Sequence, residues 1–216
     1  MKQLRRFFPA NGWWLAASAA LWLGGCQNLF IAKQTVIVDS ISTPGGAKLS
    51  GQSYRLVARK SVVSVQTAQL PVIAACVNSA LTMTGMYEAP PNVPSDLFIE
   101  VTYGMDTSSR VDPSTRESFL QLSARSNHAH SLEPSREQEQ WDIRVAIAGV
   151  AGRLETAMPL LSQVAATYAG TDTHVETTVQ VPANSPAVKE VRDHAIKILE
   201  TKNDPAEPPP AANGPK

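Results

Sequence analysis

Two imidazoles one residue apart are the most suggestive pair in the chain. Side chains alternate along an extended segment, so His128 and His130 of His128-Ala129-His130 would point the same way, with Glu133 close behind as a conceivable further metal ligand. Yet the stretch from Ala124 to Gln140, ARSNHAHSLEPSREQEQ, is polar throughout, reads as an exposed loop, and offers no cysteine. No metal site is expected, and His128 and His130 are the first residues to test for one. Serine, histidine and aspartate are all present, but no Gly-x-Ser-x-Gly elbow marks a nucleophile, and His194 beside Asp193 reads as a surface residue of a helix. Asp142 and Arg144 alternate with Trp141 and Ile143, which makes them a solvated strand face. Gly45-Gly46, Gly149 and Gly152 are not followed by the Lys-Ser/Thr that a phosphate-cradling loop needs, so no nucleotide is expected.

The remaining chemistry is that of thiols, and it starts at the amino terminus. Lys2, Arg5 and Arg6 stand there without an acidic residue, followed by the apolar run Trp13 to Leu23, WWLAASAALWL. That run is about half the roughly 20 residues a membrane-spanning helix needs, and it has the order of an export signal. It leads directly into Leu23-Gly24-Gly25-Cys26. This tetrapeptide resembles the lipobox of bacterial lipoproteins, an aliphatic residue and two small ones ahead of cysteine. Small residues let the backbone enter a protease cleft, and only cysteine supplies the thiol that carries a thioether-linked diacylglycerol. The resemblance implies cleavage between Gly25 and Cys26 and an acylated new amino terminus. Three acyl chains, at about 0.8 kcal/mol per buried methylene, would anchor the protein to a membrane without a span. Gln27 after the cysteine, rather than Asp, resembles sorting to the outer membrane on its periplasmic side, with inner-membrane retention or surface exposure as the other destinations.

Cutting ahead of Cys26 removes 25 of 216 residues and leaves 191, enough for one domain with a real core. The precursor carries 19 basic and 19 acidic residues; losing Lys2, Arg5 and Arg6 leaves 16 against 19, a net charge of −3. An acidic balance argues against nucleic acid as a partner. Of the 2 cysteines, lipid would consume Cys26, so no intramolecular disulfide forms. Cys76, within PVIAACVNSAL, reads as a small buried hydrophobe.

Lys33 to Ser42, KQTVIVDSIS, is rich in β-branched residues and ends before Pro44-Gly45-Gly46, which predicts a first strand. Ser53 to Ala58 predicts a second, with Tyr54 and Leu56 on its core face. Leu70 to Gly85 predicts a helix, with Pro71 in its first turn, Ile73, Val77, Ala80 and Leu81 on one side, and Gly85 as a left-handed cap. Asp96 to Met105 alternates most clearly of all, Leu97, Ile99, Val101 and Tyr103 against Phe98, Glu100 and Thr102. Strands are also predicted over Phe119 to Ala124, Trp141 to Val150 and His174 to Val181. Pro159 predicts a helix that starts near it and runs to Tyr168, closed by Gly170. Ser185 and Pro186 form an N-cap and first-turn pair for a last helix to about Leu199. The result is an α+β domain over residues 33–200. Its sheet is largely antiparallel or mixed, of about five to six strands, with two to three helices packed on one face. Residues 26–32 read as anchor and linker, and the proline- and alanine-rich residues 201–216 as a disordered tail.

The ordered features resemble a family of Gram-negative envelope lipoproteins that share domain of unknown function 4136. The residues that carry the likeness are the lipobox at Cys26, Val38-Asp39-Ser40-Ile41 before Pro44-Gly45, and Ser53-Tyr54-Arg55-Leu56. Leu81 to Tyr87, Asp96 to Gly104, the Met158-Pro159-Leu160-Leu161 helix ending at Tyr168, and Trp141 complete it. The resemblance implies a small α+β domain on an outer-membrane lipid anchor, and no activity. Two functions follow as expectations. The first is a non-enzymatic envelope component, needing no cofactor, that binds another protein, a lipid or the cell wall; the alternative is a tethered hydrolase or metal-dependent enzyme.

Overall fold

Alternation of β-branched and polar residues decides where the strands lie, and their shared apolar face decides what covers them. The computed structural model describes residues 33–43, 49–58, 70–106, 116–134, 138–148 and 154–203, all within the unit that begins at Lys33. The described strands are β1 (Lys33–Ser42), β2 (Ser53–Ala58), β3 (Tyr87–Glu88), β4 (Leu97–Asp106), β5 (Glu117–Ser126), β6 (Glu139–Ala148) and β7 (Thr177–Pro182). They form one mixed sheet in the order β3-β2-β4-β5-β6-β1-β7. Its centre is antiparallel, while β2 runs parallel to both β3 and β4. With helices α1 (Leu70–Met83), α2 (Leu154–Tyr168) and α3 (Pro186–Asn203), this is the expected α+β fold.

The sheet has seven strands rather than five or six. The extra one, β3, is a two-residue strand with both residues exposed, too short for any periodicity to announce it. Register places Val38 opposite Val145 and Val145 opposite Leu120, with Ile143, Leu122 and Val101 in the next row. These residues are buried, and together with Trp141 and Tyr54 they form one apolar face. Helix α2 packs on β5 and β6, α1 packs against α2, and α3 packs against both. Every residue from Ala75 to Leu81 is buried, Asn78 and Ser79 included, so this middle stretch of α1 is enclosed on all sides rather than on one. In contrast α3 buries Val188, Val191 and Ala195, a single stripe at helical spacing.

Strands β4, β5 and β6 begin one or two residues from where the alternation put them, and three further boundaries differ from expectation. Helix α2 begins at Leu154 and carries Pro159 inside it. Proline in a helix interior costs about 3 kcal/mol. The extra turn buries Leu154 and Met158, each contributing roughly 1.5–3 kcal/mol, which offsets the lost hydrogen bond. Strand β7 starts at Thr177 rather than His174, because His174 takes a left-handed backbone (φ 57) with its N–H donating to Asp172 Oδ1 at 2.7 Å. Helix α3 continues to Asn203, so the first three residues of the expected tail are helical. The caps form as read: the N–H of Val188 donates to Ser185 Oγ at 3.4 Å, and Gly85 closes α1 at φ 87.

Candidate functional site

One end of the sheet is assembled by two polar side chains that sequence patterning did not single out. Leu97, Ser126, Glu139 and Ser53 lie at that end, while Lys33, Pro182, Ala148 and Glu117 lie at the other. The first such side chain is Arg55, on the face of β2 opposite Tyr54. Its Nη1 donates to the carbonyl of Leu132 at 2.9 Å, and its Nη2 donates to those of Pro90, Pro91 and Val93 at 2.9, 3.0 and 2.9 Å. One guanidinium thus ties two separate loops together, using donors whose planar fork suits several acceptors at once.

The second is Asn127, buried just after β5. Its Nδ2 donates to the carbonyls of Ser95 and Ser131 at 2.7 and 2.9 Å, and its Oδ1 accepts from the N–H of Ser131 at 2.9 Å. Nearby, Asp96 Oδ2 accepts from both the N–H and the hydroxyl of Ser53, at 2.8 and 2.7 Å. The two loops therefore stand as one built platform. Val93 and Leu132 remain about half exposed on it, at 50% and 49%. Proline pairs and an asparagine closing a strand are turn signals, but they do not say which strand residue a loop will be tied to.

His128 and His130 are exposed on this platform in a tight turn, not in an extended segment. The N–H of His130 donates to the carbonyl of Asn127 at 3.1 Å, and His130 is left-handed at φ 47. The alternation that would aim both rings one way is therefore lost. Among the described residues no group of three or more His, Cys, Asp or Glu is arranged to hold a metal ion. Cys26 and the Gly25–Cys26 bond lie outside the described residues.

The sheet face on which no helix packs among the described residues holds Asp142 and Arg144. Asp142 is half buried, and both its carboxylate oxygens accept from Gln121 Nε2 at 3.0 Å. Burial raises its carboxyl above the ordinary range, with the hydrogen bond from Gln121 working the other way. The Arg144 guanidinium stacks over the Phe119 ring, 4.0 Å from its centroid. A cavity of about 20 Å³, the room of one water molecule, lies among Ile37, Asp39, Glu117, Arg144, Ala146 and Glu176.

Between the helices, Ser79 Oγ and His194 Nδ1 are 3.3 Å apart. Ser79 is fully buried beneath α3, where no substrate atom reaches it, while His194 is exposed. Burial pushes the Cys76 thiol up to about 11, Arg192 opposing, so it stays protonated at neutral pH as a small core residue does. Tyr54 donates to Asn78 Oδ1 at 3.1 Å, and Asn78 Nδ2 donates to Glu88 Oε2 at 2.8 Å, a chain running from the core to the surface that fastens β2, α1 and β3 together. Burial also raises the Tyr54 phenol well above its usual range.

No family model matches the chain, and no curated protein matches it. Among solved structures the chain is similar to a PelC dodecamer from Paraburkholderia phytofirmans, at 10% identity and a TM-score of 0.40 over 63% of this chain and 98% of that one. A second PelC dodecamer from the same organism gives 9% and 0.38 over 64% and 99%. A PDZ domain protein from Parabacteroides distasonis gives 10% and 0.49 over 77% of this chain, which spans 42% of that one. All three scores fall below one half.

Proposed function

We propose that the chain is a lipid-anchored cell-envelope protein, tethered through Cys26 to the periplasmic face of the outer membrane, whose domain binds another envelope component without catalysing a reaction. The observation that carries this reading is Leu23-Gly24-Gly25-Cys26 behind a basic start and a short apolar run. Membership of the lipoproteins with domain of unknown function 4136 belongs to the same proposal. The loop platform supports a binding role, because Lys33, seven residues after Cys26, stands at the opposite end of the sheet. A ten-residue strand at about 3.3 Å per residue sets the two ends roughly 33 Å apart. Val93, Leu132, His128 and His130 stand at the other end of the sheet from Lys33, on loops tied down by Arg55 and Asn127. Pre-ordered loops bind at lower entropic cost than mobile ones.

The test is Cys26→Ser in the full precursor. The expected result is loss of fatty-acid labelling and of cleavage, so that the chain keeps its signal and leaves the outer-membrane fraction. Unchanged labelling and membrane partition would overturn the anchor. For the binding role, crosslinking in whole cells should capture a reproducible partner that Val93→Asp with Leu132→Asp abolishes. A metal that co-purifies with the lipoprotein and leaves with His128→Ala and His130→Ala would replace this reading with the metal-dependent enzyme.

A further inference from the structure

We infer that β7 is a self-association edge, through which two copies of the chain join by antiparallel pairing of Thr177–Pro182 about a two-fold axis at Val179. Among the described residues β7 pairs with β1 alone and ends the sheet. In an antiparallel strand the N–H and C=O groups of alternate residues point to opposite sides, so half of those on β7 face away from β1. Such an edge is a template for another strand, and proteins usually blunt it with charge, proline or brevity. Between Glu176 and Lys189 there is no charged residue, and the single proline inside β7 is its last residue, Pro182. The opposite edge is different: β3 is only two residues long and gives a second strand little to pair with.

A second copy fits this edge because the segment complements itself. A two-fold axis at Val179 sets Thr177 against Val181, Thr178 against Gln180, and Val179 against its own counterpart. Antiparallel partners directly opposite share a face, so Val179 and Val181, half buried and packed against the core, extend the apolar underside across the junction. Thr178 and Gln180 stay together on the exposed face, where Gln180 Nε2 already donates to Thr35 Oγ1 at 2.7 Å. No like charges meet. An axis at Gln180 would set Thr178 against Pro182, which has no N–H to donate, and axes further toward either end pair fewer of the six residues.

The test places single cysteines in the full chain carrying Cys26→Ser and treats it with a short thiol-reactive crosslinker over a concentration series; Cys76, the other cysteine of the sequence, is buried and does not compete. Val179→Cys should give a covalent dimer at the highest yield. Thr35→Cys, one strand inward, sets its two copies about three strand spacings apart, roughly 14 Å, and should give almost none. Adding Gln180→Lys, an exposed change that spares the core, should cut the Val179→Cys yield several-fold while the thermal melt stays that of the parent. The proposal is overturned if Val179→Cys remains monomeric while folded, if Thr35→Cys crosslinks as well as Val179→Cys, or if Val179→Cys in cells captures a different protein instead of its own copy.

Discussion

The two faces of the sheet are made from the same strands, one residue out of phase, and they are stabilised in different ways. The covered face is held by area. Trp141 is fully buried there with its Nε1 lacking a hydrogen-bond partner, a loss of roughly 1–3 kcal/mol. Burying an indole of about 200 Å² at about 25 cal/mol per Å² contributes roughly 5 kcal/mol, so packing outweighs the unpaired donor. The uncovered face is held by direction instead. Asp142 against Gln121, Ser123 against Glu139 at 2.9 Å, and Arg55 against its four carbonyls are each specific pairings at the edge of solvent. Hydrophobic burial tolerates an imperfect polar atom because it is non-directional, whereas a polar face depends on each partner being in place.

The comparison breaks most visibly at Trp141. Trp141→Ala should cost about 3–5 kcal/mol, read as a lowered midpoint in chemical denaturation, because it removes one of the largest fully buried side chains of the covered face. A loss below about 1 kcal/mol would mean that the face is not packed as described. Arg55→Ala comes next, at about 1.5–3 kcal/mol, since hydrogen bonds from a charged donor are the stronger ones. It should also speed hydrogen exchange at Val93, whose N–H donates to the Pro90 carbonyl at 3.0 Å, while leaving exchange in β5 and β6 unchanged. Uniform acceleration would show that the clamp is not local to the loops.

Asp142→Asn is the mildest change, and pH sharpens it. The folded state holds the Asp142 carboxyl above its usual 3.8, chiefly through burial, so it binds that proton more tightly than the unfolded chain does. Stability from this group therefore rises as pH falls from above the raised folded pKa toward 3.8, and it is lost again as pH climbs back. The asparagine variant lacks this slope. Its melting temperature minus that of the parent should shrink steadily over that descent, and a constant difference would remove Asp142 from the account.

Much of the fold was legible because its signals are local. Lys33 to Ser42 and Ser53 to Ala58 form the strands their alternation predicts, and Ser185 with Pro186 starts α3 where capping chemistry says a helix should start. What was missed has more than one cause: β3 is too short to show a period, His174 is turned by Asp172 two residues away, and elsewhere a distant contact outweighed a local preference. Pro159 argues for a helix start, but burial of Leu154 and Met158 carries α2 a turn further back. His128 and His130 lie exposed in the loop that their polar neighbours predict, but the contact that shapes it, from Asn127 to Ser95 32 positions away, leaves no local mark. Arg55 was visible only as the polar alternate of a short strand, and its acceptors lie 35 to 77 residues away.

By itself the sequence determined which residues alternate, where helices are capped, which faces are apolar, and the order Leu23-Gly24-Gly25-Cys26 on which the anchoring proposal rests, since each of these depends on neighbours within a few residues. Only the tertiary structure decided that β1 sits between β6 and β7, that β2 runs parallel to β4, and that β7 is left at an edge. Strand order is set by which apolar faces bury one another across the whole chain, and that competition leaves no mark on any short stretch of residues.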